Sequence, residues 1–275
     1  MSLLRSFVVL VSLSSWNLTV DALAHSNSTD RIIGDNDLVQ ITADYANNPR
    51  IQAIGRMNLG CTATHVGNGI AISAGHCFAR GNFEGVHKNV PCNDLKHQVR
   101  WGLTYGSEGY LTSSCTEIIA SELNEERDYA IFRVFPVPTG SIGLNPETVS
   151  VDAQISIFSH PRKRHLEWSQ WCKVEGLVGK SHGHQFYYSC DTEGGSSGAA
   201  VLDKNYHVVG IHNFYSKDLN RNAATMIAST PLAEILQDAA AGTGPGANLA
   251  DHVGSALTQA FHNEVFLISG LGSLE

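Results

Sequence analysis

Three short stretches carry side chains that could together break an acyl bond. The first is Ser73-Ala74-Gly75-His76-Cys77, with Cys61 a short way upstream. A disulfide between Cys61 and Cys77 would close a small loop around the histidine and stabilise the fold by about 3 kcal/mol in the loop-entropy model. A general base must be held within hydrogen-bond reach of its nucleophile, so that rigidity has a chemical use. The second stretch is Gly194-Gly195-Ser196-Ser197-Gly198-Ala199. Its glycines let the backbone turn sharply and aim successive N–H groups into one concavity. An oxyanion formed there is stabilised by about 3–4 kcal/mol per donor. Alone, such a run could be a flexible linker, but apolar runs lead into it (Phe186–Cys190) and out of it (Ala199–Leu202). The third is Arg127-Asp128-Tyr129-Ala130-Ile131-Phe132, a carboxylate at the mouth of an apolar run. An Asp before a strand is commonplace, and Glu125 and Glu126 sit beside it. What raises it is the order His76, Asp128, Ser197, which suits a base, an orienting carboxylate and a nucleophile.

These side chains need rigid elements to meet. Between about Gly60 and Ala228 the chain shows short apolar runs broken by turn residues: Gly69–Ser73 after a Gly67-Asn68-Gly69 turn, Ala130–Phe135, Gln154–Phe158, Ala199–Leu202 and Val208–His212. Runs of this length, rich in Val and Ile and spaced by Gly, Pro and Asn, read as strands of a barrel or sandwich. The first clear helix starts at Pro231, with Leu232, Ile235 and Leu236 at helical spacing. Gly242-Thr243-Gly244-Pro245-Gly246 then breaks the chain. There are no internal repeats and no heptads.

The bulk properties narrow the function classes. With 275 residues, 43% apolar and 16% charged, the chain can bury one large core or two small ones. Eighteen basic against 26 acidic residues give a net charge of −8, which argues against a nucleic-acid or anionic-membrane surface. Arg5 precedes the apolar stretch Phe7–Leu13, and Ala22-Leu23-Ala24 has the small-x-small form of a signal-peptidase site. That apolar run is too short to span a bilayer, and export is the expectation. All six cysteines (Cys61, Cys77, Cys92, Cys115, Cys172, Cys190) follow the signal, and an even number in an exported chain favours disulfides. No Cys-x-x-Cys pair or His-x-x-x-His cluster suggests a metal, and His182 and His184 read as a loop. Asn27-Ser28-Thr29 is a glycosylation acceptor if the host modifies exported proteins.

Cys61 with Ser-Ala-Gly-His76-Cys, Asp128-Tyr-Ala-Ile and Gly-Gly-Ser-Ser197-Gly resemble the chymotrypsin-like serine proteases. Within that group the likeness is nearest to the bacterial glutamyl endopeptidases and related trypsin-like peptidase domains. Ile32-Ile-Gly-Asp-Asn-Asp with Ile54-Gly-Arg, His160-Pro161, Cys190-Asp191-Thr192 and Gly210-Ile211-His212 are also similar to theirs. The resemblance covers about residues 32–240. It implies an all-β fold of two antiparallel six-stranded β-barrels with a C-terminal helix. It also implies His76, Asp128 and Ser197 as a catalytic triad, and Gly195 and Ser197 as oxyanion donors. It pairs Cys172 with Cys190, which leaves Cys92 for Cys115.

Three departures stand out. Ser196 replaces the aspartate that, in digestive-type relatives, receives the new N-terminus on activation. Asn213-Phe214-Tyr215 stands where relatives have small residues lining the cleft, and Ala200 replaces a common proline. For specificity the resemblance offers two alternatives. Thr192 and His212 match residues that hold a substrate carboxylate in the glutamyl branch, with the Ile32 ammonium nearby. Asp191 matches the place where trypsin-like enzymes bind Arg or Lys, unless it merely caps local backbone N–H groups.

The expected plan is a signal peptide at 1–24, a short propeptide at 25–31 cut after Arg31, a protease domain at 32–240 and an extension at 241–275 with no assigned role. The function read from it is a secreted, monomeric serine endopeptidase acting on proteins or peptides, with no cofactor or metal and no nucleic-acid or membrane partner. Its alternative is a non-catalytic secreted binding protein on the same scaffold. An α/β-hydrolase esterase is disfavoured, because that class runs Ser, Asp, His.

Overall fold

The computed structural model describes residues 32–79, 85–178 and 184–242. The expected signal peptide and propeptide, the Asn27 acceptor, His182 and the extension beyond Gly242 lie outside them. A two-residue strand, β1 (Val39–Gln40), opens the chain. The first barrel follows from β2 (Ile54–Met57), β3 (Thr62–Gly67), β4 (Ile70–Ser73), β5 (Gly85–Pro91), β6 (Val99–Thr104), β7 (Ser107–Leu123) and β8 (Asp128–Phe135). The second is built from β9 (Gln154–Ser159), β10 (Glu167–Val178), β11 (Gln185–Tyr188), β12 (Ala200–Asp203), β13 (Val208–Ser216) and β14 (Arg221–Met226).

Each sheet is antiparallel and closes on itself. In the first, the order β7-β6-β2-β3-β4-β8 is closed by pairing of β8 with β7, and β5 adds to the outside of β7. In the second, β10-β11-β14-β13-β12-β9 is closed by β9 with β10, and β1 adds to β10. Two six-stranded barrels therefore stand as the sequence implied, each with one appended strand. Closure pairs both edges of each six-stranded barrel, and β5 and β1 are left as the edge strands.

The expected strands form where the apolar runs predicted them. At the β3–β4 hairpin, Asn68 (φ 52°) and Gly69 (φ 70°) take the left-handed conformations a tight hairpin needs. The longest strand, β7, has no continuous apolar run. It alternates half-buried or buried with exposed residues along its first half, the period-2 pattern of a barrel wall with one wet face.

Each barrel fills with its own inward side chains: Met57, Trp101 and Phe132 in the first, Ile157, Phe186 and Val201 in the second. A third apolar cluster lies where the barrels meet, joining Ile54, Ile72 and Ile131 to Leu166, Leu202 and Ile211. The terminal helix, α1 (Leu232–Ala241), packs Leu232, Ile235, Leu236 and Ala239 on this shared cluster. Pro231 is its N-cap and Gly242 (φ 67°) its left-handed C-cap. The two barrels and the helix thus share one apolar seam.

Candidate active site

His76 stands on a short 3-10 turn after β4, fastened by the Cys61–Cys77 disulfide. Asp128 is the first residue of β8, with its side chain about 10% exposed. Its two oxygens grip His76 at two points. Oδ1 accepts from the His76 backbone N at 2.9 Å, and Oδ2 lies 2.6 Å from the ring Nδ1. A carboxylate on Nδ1 places the donor tautomer there and leaves Nε2 as an acceptor facing the cleft. The histidine side chain is 38% exposed, so a substrate can reach it.

The backbone of Asp128 is held from the other barrel. Its N donates to Thr225 Oγ1 at 3.0 Å, and Asn213 Nδ2 donates to its carbonyl. Asn213 Oδ1 in turn accepts from Thr225 N at 2.6 Å and from Thr225 Oγ1 at 2.8 Å. All three residues are buried, and the network is satisfied across the seam.

Ser197 lies on the turn between β11 and β12. Thr62 of the first barrel ties that turn down twice: its N donates to Ser197 O at 2.9 Å and its Oγ1 to Gly195 O at 2.9 Å. Gly198 (φ +85°) presses so closely on this wall that a Cβ there would lie 2.8 Å from Ala74 N. Ser197 is thereby seated beside the His76 turn. Among the described residues no hydrogen bond joins Ser197 Oγ to the His76 ring; bonds of this kind tighten when substrate binds.

The amides of the turn divide by role. Those of Ser196, Gly198 and Ala199 donate to Glu193 O, His212 O and Ser196 O. Among the described residues, those of Gly195 and Ser197 donate to no protein group. Gly194 O accepts from Arg162 N at 2.5 Å. In a trans peptide the C=O and the next N–H point opposite ways, so this bond turns the Gly195 N–H to the other side. Gly195 itself (φ +105°) has no room for a side chain, because a Cβ would stand 2.6 Å from His160 O.

The specificity candidates separate spatially. Thr192 Oγ1 donates to Asn222 Oδ1 at 3.0 Å, and Asn222 pairs across the sheet with Tyr188, whose hydroxyl lies 2.5 Å from His212 Nδ1. Burial pushes the Tyr188 hydroxyl pKa well up, so it stays neutral. Asp191 is buried and fully engaged: Oδ1 accepts from Ile33 N at 2.7 Å and Oδ2 from Asp37 N at 3.1 Å. It does cap backbone N–H groups, but those of the distant N-terminal segment rather than local ones. Burial first and the Asp191 charge second raise the Asp37 carboxyl. Ser196, which replaces an aspartate in digestive relatives, shares a hydrogen bond with Ser159 Oγ at 2.9 Å.

The remaining cysteines pair Cys92–Cys115 and Cys172–Cys190, and no cysteine is free. The sulfurs of Cys61 and Cys77 lie with the His76 ring within 4.8 Å. They are one disulfide and so lack the thiolate form a metal would need. No helix among the described residues is long and apolar enough to cross a membrane.

A family model for the trypsin-like peptidase domain matches residues 61–211, more than half of the chain. The chain belongs to the trypsin-like peptidase family. No curated protein matches its sequence. Among solved structures, one described as a Glu endopeptidase in complex with MPD is 19% identical, with a TM-score of 0.59; the match covers 76% of this chain and 99% of that one. A second, the inactive form of the Rv3671c protease, is 15% identical with a TM-score of 0.50, covering 72% and 96%. At these identities the likeness is one of fold.

This trypsin-like peptidase carries supports that its motifs did not announce. Thr62, Asn213 and Thr225 are ordinary polar residues whose role exists only once the barrels close. So is Glu193, buried one residue before Gly194. Its carboxylate pairs with Arg162 Nε at 2.9 Å and with Arg164 Nη2. Arg164 also grips Glu167 with Nε at 2.9 Å and Nη2 at 2.8 Å, and Tyr105 OH donates to Glu167 at 2.5 Å. Hydrogen bonding to Glu167 raises the Arg164 pKa further, and desolvation opposes it.

Proposed function

We propose that this peptidase is a secreted serine endopeptidase that cuts through an acyl-enzyme on Ser197. Ser197 attacks the scissile carbonyl and His76 takes its proton, later returning it to the leaving amine. Asp128 holds the imidazole and stabilises its charged form. The Gly195 and Ser197 N–H groups receive the oxyanion. The observation that carries this reading is the two-point grip of Asp128 on His76 beside two uncommitted N–H groups. Export accords with three formed disulfides, which suit an oxidising compartment. Processing after Arg31 would leave Ile32 next to Ile33, already docked on Asp191.

Cleavage after acidic residues, Glu before Asp, is the specificity favoured here. Thr192 and His212 are buried on polar partners from adjacent strands, Asn222 and Tyr188, while both oxygens of Asp191 are taken by backbone. An aspartate so engaged is a poor receptor for Arg or Lys. Chromogenic peptides ending in Glu and in Arg, compared over pH 5–9, test this. The Glu peptide should be cut faster, and Ser197→Ala should lower turnover of it by several powers of ten. An Arg preference lost on Asp191→Asn would overturn the specificity. Activity retained above a tenth in Ser197→Ala would overturn the nucleophile.

A further inference from the structure

A cavity of about 310 Å³ opens beside Gly195, and neither the proposed triad nor Thr192 and His212 line it. Its walls are Leu59, Gly60 and Cys61 of the first barrel, Arg162 and Lys163 of the second, and the glycines Gly194 and Gly195. Cys61, bonded to Cys77, lines it, and the Cys61 sulfur lies within 4.8 Å of the His76 ring that would protonate the leaving amine. With the scissile carbonyl on the Gly195 N–H, the departing half of the substrate therefore runs towards this cavity.

The wall is positively charged in an otherwise acidic protein. Arg162 and Lys163 follow one another in left-handed backbone conformations (φ 49° and 61°), which a non-glycine residue adopts only when its surroundings hold it there. Here they do. Arg162 N donates to Gly194 O at 2.5 Å, and Arg56 Nη1 donates to Lys163 O at 2.5 Å. The Lys163 stem lies over Gly60, whose φ of +114° favours glycine at that position. Arg162 keeps one edge on Glu193 while its side chain is 52% exposed. The acids beside this wall, Glu193 and Glu167, are buried and bound to Arg162 and Arg164. Arg162 and Lys163 both line the cavity, and the Glu193 carboxylate offsets one of these two charges.

We infer that Lys163 and Arg162 form a subsite for a substrate carboxylate on the leaving-group side, within the first two residues after the cut. The inference rests on the protease reading above and adds a second selection to it. Such a site discriminates by attraction of an acidic side chain and by repulsion of a basic one.

Internally quenched peptides with one common residue before the cut, and Glu, Gln or Lys at the first or second position after it, test this on the secreted full chain. Expected is a kcat/KM for the Glu peptide about two- to fivefold above that for Gln, with Lys lowest, as suits exposed charge pairs. Raising salt to about 0.5 M should compress the order. Lys163→Glu should invert it, so that the Lys peptide overtakes the Glu peptide. Lys163→Gln, which keeps a long flexible stem, should flatten it and serves if the charge reversal folds poorly. An order unchanged in either variant, or no order in the unaltered protein, overturns the subsite alone. If the unaltered protein cuts none of the peptides, the protease reading and the subsite fall together.

Discussion

Glu193 sits where the proposed oxyanion turn begins, and the aspartate that receives the new N-terminus in digestive relatives is Ser196 here. The buried carboxylate with its two arginines offers another way to hold the turn. Arg162 is bonded through its side chain to Glu193 and through its N to Gly194 O, so one residue fixes both the carboxylate and the peptide that aims the Gly195 N–H. Glu193→Gln should therefore lower kcat by about tenfold or more while KM changes by less than about twofold. Oxyanion contacts strengthen mainly in the transition state, which is why the loss falls on kcat. Steady-state kinetics with an active-site titration checks this. A change confined to KM, or to the fraction of active protein, would argue for a purely structural role.

At the scale of elements, the proposed triad is set by strands from both barrels. β8 begins with Asp128, while β13 and β14 bring Asn213 and Thr225 to hold its backbone. Asn213→Ala removes three hydrogen bonds and leaves buried polar groups unpaired, a cost of about 1–3 kcal/mol for each group left without a partner. We expect a lower midpoint in urea and a drop of about tenfold in kcat/KM as Asp128 loosens. Full activity at unchanged stability would remove Asn213 from the site. The motif Asn213-Phe214-Tyr215 had stood out in the sequence only as a departure at the cleft. Its buried asparagine works instead beneath the site, because β13 bulges between His212 and Phe214. Continuous apolar runs such as those of β4, β8 and β9 were legible as strands. β7 was not singled out, because one face of a barrel wall is polar and breaks the run. Thr62 was illegible for a different reason. Its partner Gly195 is 133 residues away, and no local pattern encodes a contact made by docking two barrels. The disulfide partners Cys172 and Cys190 likewise came from the resemblance and not from their spacing.

For the whole molecule, two buried histidines tie stability to pH. Burial holds the His160 pKa at about 3 and lowers that of His65. An unfolded histidine titrates near 6.5. Above about pH 6.5 neither state carries the protons, and the stability is fully present. As pH falls towards 3, the unfolded chain takes up protons that the folded chain refuses, so stability declines, by about 1.4 kcal/mol per pH unit from His160 alone. Urea unfolding at pH 7, 6, 5 and 4 should follow this slope. His160→Gln should flatten it, even if the variant starts lower at pH 7; an unaltered slope would exclude His160 as a source.

The division of the site between barrels also bears on when the protein becomes dangerous to the cell that makes it. A ribosome delivers His76 and Asp128 first, and the first barrel can close around them with nothing to cut. Ser197 arrives later, and the strands that steady Asp128 from behind, β13 and β14, arrive last of all. Until residue 226 has emerged, the nascent chain holds a base and its carboxylate but no assembled turn to receive a substrate. If the proposed triad is the active one, synthesis order by itself would keep the site unassembled until the second barrel closes.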